Sequence, residues 1–238
     1  MGEELFNYRV RVSPRSRNVR LKVTLQHGLE VVVPRGYDEG KIPSLLKRKK
    51  QWINSALERA ESYRKFFEPE PAWRMPIHIN LPAIGAIWHV TARQTDLSWV
   101  AVRKIYEGQL LVFGAIDNEQ ACRAALARWL QRQAHENLVP RLKEISARLG
   151  FKFRRTYIKR ERTRWASCSR HKAITLNAKL LFLQPELVRY VMVHELCHLA
   201  EMNHSKRFWA LVQRSHTDYH VHDKGLREGW KRVPSWAN

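Results

Sequence analysis

The chain has 238 residues, 44% of them hydrophobic and 9 of them Trp, enough for a folded protein with a substantial core. Lys and Arg number 43 against 22 Asp and Glu, a formal net charge of +21 that attracts polyanions. Three cysteines, Cys122, Cys168 and Cys197, without a C-x-x-C pair, exclude a disulfide framework and a zinc ribbon, and point to a reducing, cytoplasmic compartment. The opening "MGEELFNYRV" has no apolar core of a secretory signal. No stretch approaches about 18 uninterrupted apolar residues, so no membrane span is expected.

In chain order, "VRLKVTLQHGLEVVVPRG" alternates Val19, Leu21, Val23 and Leu25 with polar residues, turns at His27-Gly28 and resumes through Val31 to Val33, predicting a hairpin. From Asp38, an N-cap, a helix is predicted with Leu45, Leu46, Lys49, Trp52, Ile53, Ala56 and Leu57 at helical spacing. Its other face carries Lys47, Arg48, Lys50, Arg59 and Arg64. "EPEPAWRMP", residues 68 to 76, is a proline-rich connection, and two β stretches follow, the second turning at Glu107-Gly108. Asp117 and Gln120 resemble a capping box opening a helix through Ala121, Ala124, Ala125, Trp129 and Leu138. Pro140 should kink or break it, and Gly150 should end its continuation. Residues 152 to 164 hold seven basic side chains against Glu161 alone. Arg154, Arg155, Lys159 and Arg160 are candidate nucleic-acid contacts, and Trp165, at the end of the run, either packs in a core or stacks on a base. "AITLNAKLLFL" reads as a strand, and Pro185 and Glu186 start a further helix.

That helix contains "VMVHELCHLAEMNHSKRFW", residues 191 to 209. His194 and His198, four residues apart, project from one helical face and suit two ligands of one metal. Glu195, roughly 100° around from His194, can hold a water without entering the ligand set. This is H-E-x-x-H, in which zinc acidifies a water and the carboxylate takes its proton. Between Leu187 and Ala200 the other ionisable side chains are Arg189, Tyr190 and Cys197, so the helix is expected to be buried, where solvated histidines would be out of place. Candidates for a third ligand are Glu201, His204, His216, His220, His222 and Asp223. His204 is favoured because Met202-Asn203 can end the helix and bring the next side chain back before a second helix from Ser205 to Arg214. Cys197 points away from the two histidines and reads as a buried thiol. Tyr219, His220 and Arg164 are candidates for stabilising an oxyanion.

"HELCHLAEMNHSKRFW", preceded by "RTRWASCSRHKAITLNAKLLFLQPELVRYVMV", resembles the YgjP-like metallopeptidases, relatives of SprT-like and Wss1-type proteases among the zincins. The resemblance extends over nearly the whole chain. It implies an α+β zincin-type metallopeptidase domain with an N-terminal β-rich region, divided as 1–116, β-rich with one basic helix, and 117–238, catalytic. It maps metal ligands to His194, His198 and His204, one Zn2+ per chain, with Glu195 as the base that cleaves a protein or peptide substrate. It also implies that "AITLNAKLLFL" pairs with extended substrate. One departure stands out: Ala166 occupies the glycine of the family's usual W-G-S-C, which puts the backbone of that turn in question. The kinship and the charge together suggest substrates associated with nucleic acid. The competing expectation is a basic nucleic-acid-binding protein with a structural, non-catalytic zinc site.

Overall fold

A computed structural model describes residues 6–24, 28–54, 56–57 and 73–237. The chain divides into two compact units, Met1–Glu70 and Pro71–Asn238.

In the first unit β1 (Tyr8–Val12), β2 (Arg20–Thr24) and β3 (Gly28–Val33) form a sheet of order β1-β3-β2. β2 and β3 pair antiparallel with Thr24 opposite Gly28, so the expected hairpin is present; Leu25 and His27 lie outside the described residues. β1 adds in parallel along β3. Leu29, Val31 and Val33 bury one face of β3 against Ile42, Leu46 and Ile53. The helix expected from Asp38 is assembled from pieces. Asp38 caps a 3-10 turn, Glu39–Lys41, by accepting from the Gly40 N–H at 3.0 Å. Pro43, lacking an N–H, sits in the first turn of α1 (Ile42–Arg48). At Lys49 the N–H is shared between the Leu45 and Leu46 carbonyls, which tightens the last turn before helical residues 50–54 and 56–57. Trp52 is 44% exposed rather than in the core. Arg59 and Arg64 lie outside the described residues.

The second unit opens with β4 (His78–Leu81), β5 (Ala86–Gln94), β6 (Val100–Tyr106) and β7 (Gln109–Gly114), in the order β4-β5-β7-β6. The β6–β7 hairpin turns at Glu107-Gly108 as expected, with Gly108 at φ 72°. At Gly114 a Cβ would lie 1.9 Å from the Trp99 carbonyl oxygen, so only glycine closes this sheet. α2 (Glu119–Arg148) follows. Its cap is Asn118, which accepts from the Ala121 N–H at 3.0 Å, and not Asp117; with the cap one residue later, Ala121 replaces Gln120 at the reciprocal position and no capping box forms. Pro140 neither breaks nor ends the helix. It and Glu136, whose carbonyl it leaves free, are both exposed, so water can satisfy that oxygen. Gly150, at φ 73°, closes the helix as expected, with Phe151 N–H donating to the Ser146 carbonyl at 2.9 Å.

The first sheet of this unit is tied to α2 by long-range contacts: Trp88 meets Trp129 edge to face at 5.6 Å, and Arg141 donates to the carbonyls of Ala83 and Pro185 at 3.2 and 3.1 Å. The chain therefore divides at 70/71, whereas a division at 116/117 was expected, because residues 73–116 share their core with α2.

A second sheet, β8 (Arg155–Lys159), β9 (Ala166–Cys168) and β10 (Ala173–Asn177), has the order β8-β10-β9, with β10 parallel to β8 and antiparallel to β9. β10 thus has both edges occupied, and extended substrate cannot pair with it; the edges are β8 and β9. Ala166 pairs with Leu176 and takes no positive φ, so alanine is accommodated in ordinary strand backbone. Three helices complete the unit: α3 (Pro185–Cys197), α4 (Lys206–Ser215) and α5 (Tyr219–Gly229). The α+β organisation is as expected.

Asn177, fully buried, organises the junction between sheet and helices. Its amide donates to the carbonyls of Glu161 and Arg164, both at 2.8 Å, while its side-chain oxygen accepts from the Lys179 N–H at 3.1 Å. Lys179 is buried, its Nζ 5.5 Å from the Trp230 ring; burial, then Arg160 and Arg162, hold its pKa down at about 8.

Two outcomes follow from this junction. Asn177→Ala removes a fully buried amide that makes three hydrogen bonds and should lower unfolding free energy by about 2–4 kcal/mol in chemical denaturation; a loss within about 0.5 kcal/mol would show that the junction does not depend on it. For Lys179 the folded pKa lies below the unfolded value, so the unfolded chain binds more protons between about pH 8 and 10.5 and stability gains with rising pH. The stability of wild type minus that of Lys179→Met should therefore increase across this window, and a flat difference would contradict the assignment.

Candidate metal centre

Burial of α3 sets the site. Val188, Met192, Val193, Leu196 and Cys197 are fully buried, Tyr190 and Val191 nearly so, and the helix ends at Cys197 with His198 as its C-cap. His198 keeps helical backbone angles, and its N–H donates to the His194 carbonyl at 3.3 Å, so the two rings stay on one face with centroids 4.9 Å apart. The α-helix therefore stops earlier than Met202-Asn203, and turns bonded from Leu199, Ala200 and Glu201 carry the chain onward. Asn203 does not enter the left-handed region. The reversal is made instead by a close bond from Ser205 N–H to the Asn203 carbonyl at 2.7 Å, and Ser205 then caps α4 by accepting from the Phe208 N–H.

This reversal brings His204 back to the helix. One ring nitrogen each from His194, His198 and His204 lies within 4.8 Å of the others, and His194 Nε2 stands 3.0 Å from His204 Nε2. Tetrahedral zinc with Zn–N of about 2.0–2.1 Å spaces its ligand nitrogens by roughly 3.4 Å, so the cluster has the dimensions of such a site. Its chemistry fits too. The Nδ1 of His198 lies 3.0 Å from the Glu201 carbonyl; donation there leaves Nε2 with its lone pair toward the other rings. Burial, followed by the two neighbouring histidines, pushes His194 down to about 3, and burial likewise lowers His198, so both are neutral at pH 7 as a metal requires. Phe208 stacks on His198 at 4.5 Å and meets the other two rings edge on, while Trp209 stacks on His204 at 5.6 Å. α4 therefore holds the imidazoles in position through aromatic walls, which the sequence reading missed although Phe208 and Trp209 follow His204 at helical spacing.

Glu195 is 7% exposed, and one carboxylate oxygen, Oε2, has no hydrogen-bond partner. Burial raises its pKa to about 8, opposed by the Cys168 backbone N–H and by Arg164. An acceptor held by β9 at one side and left open at the other is suited to a water.

The remaining candidates lie apart from the cluster. His216 Nε2 lies 2.9 Å from His222 Nδ1, both rings beside that of Tyr190, whose hydroxyl donates to Asp223 at 3.0 Å; among the described residues they join no group of three possible ligands. Glu201 contributes its carbonyl to His198 rather than a carboxylate to a metal. Tyr219 is buried in a stack on Trp209, with His220 against its other side. Cys197 is a fully buried thiol whose pKa burial pushes up to about 12. Arg154, Arg155, Lys159 and Arg160 are all exposed on and beside β8.

The model of the YgjP-like metallopeptidase domain matches residues 17–229. A solved structure, the metallopeptidase zymogen of Pyrococcus abyssi abylysin, aligns at 25% identity over 37% of this chain and 89% of its own, with a TM-score of 0.33. Comparison with curated proteins gives no match. The chain belongs to the YgjP-like metallopeptidases.

If the three imidazoles share one ion, His204→Ala should lose most of the metal found in the purified protein by elemental analysis and melt at lower temperature, while His216→Ala and His220→Ala keep it. Full occupancy in the His204 variant would remove this residue from the ligand set.

Proposed function

We propose that this YgjP-like metallopeptidase is a zinc endopeptidase in which His194, His198 and His204 hold the ion and Glu195 is the general base. The observation that carries the reading is the unpartnered Oε2 of Glu195 on the helix that brings His194 and His198 together with His204. Zinc bound there would supply a Lewis acid that polarises the scissile carbonyl and acidifies a water. Glu195 takes the proton of the attacking water and passes it to the leaving amine. The Cys168 N–H holds the carboxylate in place. Among the described residues β9 is paired on one side only; it lies beside α3, and its other edge offers backbone groups to an extended peptide, which favours cleavage within a chain rather than at its end.

A structural zinc in a nucleic-acid-binding protein accounts less well for the site: structural ions are closed by four protein ligands, and among the described residues three converge. The charge of +21 supports substrates that are proteins held on nucleic acid. Three free cysteines support a reducing, cytoplasmic setting, and no helix among the described residues is long and apolar enough to cross a membrane.

Glu195→Gln should keep its zinc and its fold while cleavage of an unfolded protein substrate falls by about 100-fold or more. Loss of zinc in parallel with activity would make Glu195 a ligand, and undiminished cleavage would remove it from the mechanism.

A further inference from the structure

The second sheet has two different faces. Thr156 and Ile158 of β8, Ile174 and Leu176 of β10, and Ala166 and Cys168 of β9 share the inner face, where Ile174 and Leu176 are fully buried. The alternation of β8 sends Arg155, Tyr157 and Lys159 outward, all exposed, with Thr175 beside Tyr157 and Ser167 beside Thr175. On a strand these three stand in a row about 13 Å long with the ring midway between the two cations. Tyr157 is 44% exposed.

At the start of β8 the row runs into a groove of about 580 Å³ lined by Arg154, Arg155, Tyr157, Ser169, His171 and Ala173. Arg154 and His171 also line an adjoining groove of about 470 Å³ with Lys152, Phe153, Arg170 and Lys172. The tight turn between β9 and β10 fixes this end. Lys172 has φ 58°, donates to the Ser169 carbonyl at 2.9 Å and accepts from the Arg154 N–H at 2.7 Å, so Arg170 and His171 are presented by constrained backbone. Among the described residues, Arg154, Arg155, Lys159, Arg170 and Lys172 form no ion pair with a carboxylate. Trp165 is unavailable for stacking, being 8% exposed and stacked on Trp230 at 4.0 Å.

We propose that the outer face of this sheet is a track for single-stranded nucleic acid, with Tyr157 as the stacking platform and Arg154, Arg155, Lys159, Arg170 and Lys172 as phosphate contacts. An exposed ring between cations on a flat strand gains from an unpaired base, whereas a duplex keeps its bases stacked on one another. This deepens the reading of a peptidase acting on nucleic-acid-bound proteins. It is tested by binding alone, so its failure leaves the zinc and Glu195 assignments standing.

The test is an anisotropy titration of the full chain with a labelled oligothymidylate of about 15 nucleotides, at about 50 and 200 mM salt. Tyr157→Ala should weaken binding about tenfold without changing the salt slope, and Tyr157→Trp should restore it. The double variant Arg155→Ser, Lys159→Ser should lower the slope by about 1.4, two phosphates at roughly 0.7 each. A duplex of the same length should bind in a manner insensitive to Tyr157→Ala. Zinc content and circular dichroism of each variant report that the fold is retained. The proposal is overturned if Tyr157→Ala binds as wild type does, if the double variant keeps the full slope, or if the duplex responds to Tyr157→Ala as the single strand does. Polyglutamate displacing the probe as well as unlabelled oligonucleotide would also overturn it, in favour of an acidic polypeptide partner.

Discussion

An apolar helix tolerates ionisable side chains only where something satisfies them, and α3 is built around that constraint. Its flanks are Val, Met and Leu buried against the rest of the second unit, yet it carries His194, Glu195 and His198. The structure meets the demand from outside the helix. The chain turns back so that a third imidazole reaches His194 at 3.0 Å, a backbone carbonyl takes His198 Nδ1, and the Cys168 N–H takes one side of Glu195. What remains is three converging ring nitrogens and one carboxylate oxygen without a partner, the complement of a cation and a water.

Each neighbouring element contributes to holding that arrangement. α4 supplies Phe208 and Trp209 as ring walls, so its amphipathic register fixes imidazole orientation as well as core packing. β9 supplies the N–H for Glu195, and β9 is in turn held by β10, whose last residue, Asn177, binds the loop at Glu161 and Arg164. Close to that loop, Trp165 packs on Trp230 and approaches Gly229 so nearly that a Cβ there would lie 3.1 Å from its ring. α2 joins the first sheet of the unit to the beginning of α3 through the single guanidinium of Arg141. The same second sheet turns its other face outward with cations and a tyrosine, so one element supports the Glu195 carboxylate on its inner side and presents charge on its outer side.

What was legible in the sequence was local. The H-E-x-x-H spacing and the turns at Gly108 and Gly150 follow from side chains within a few residues of each other, and His204 does come back to His194 and His198, although the helix ends at Cys197 and the reversal is made at Asn203 and Ser205 without a left-handed Asn203. What was not legible depends on contacts distant in sequence. No periodicity reveals that β10 is paired on both edges, since β8 reaches it from 18 residues away. The join between residues 73–116 and α2 rests on Trp88 with Trp129 and on Arg141, pairs far apart along the chain. Two smaller differences have local causes. Asn118 outcompeted Asp117 for the cap by one residue, and Pro140 was tolerated because its orphaned carbonyl faces solvent. The histidines after residue 215 looked alike in sequence, and it is the interposed ring of Tyr190 that separates His216 and His222 from the triad.

The central claim is that three imidazoles and no other protein group hold the ion while one position stays open. X-ray absorption at the zinc edge on the purified full chain addresses it directly. The account predicts three nitrogen ligands with imidazole scattering at about 2.0 Å and one further oxygen at a similar distance. A sulfur ligand near 2.3 Å, or a closed shell of four protein ligands, would contradict it and make the site structural.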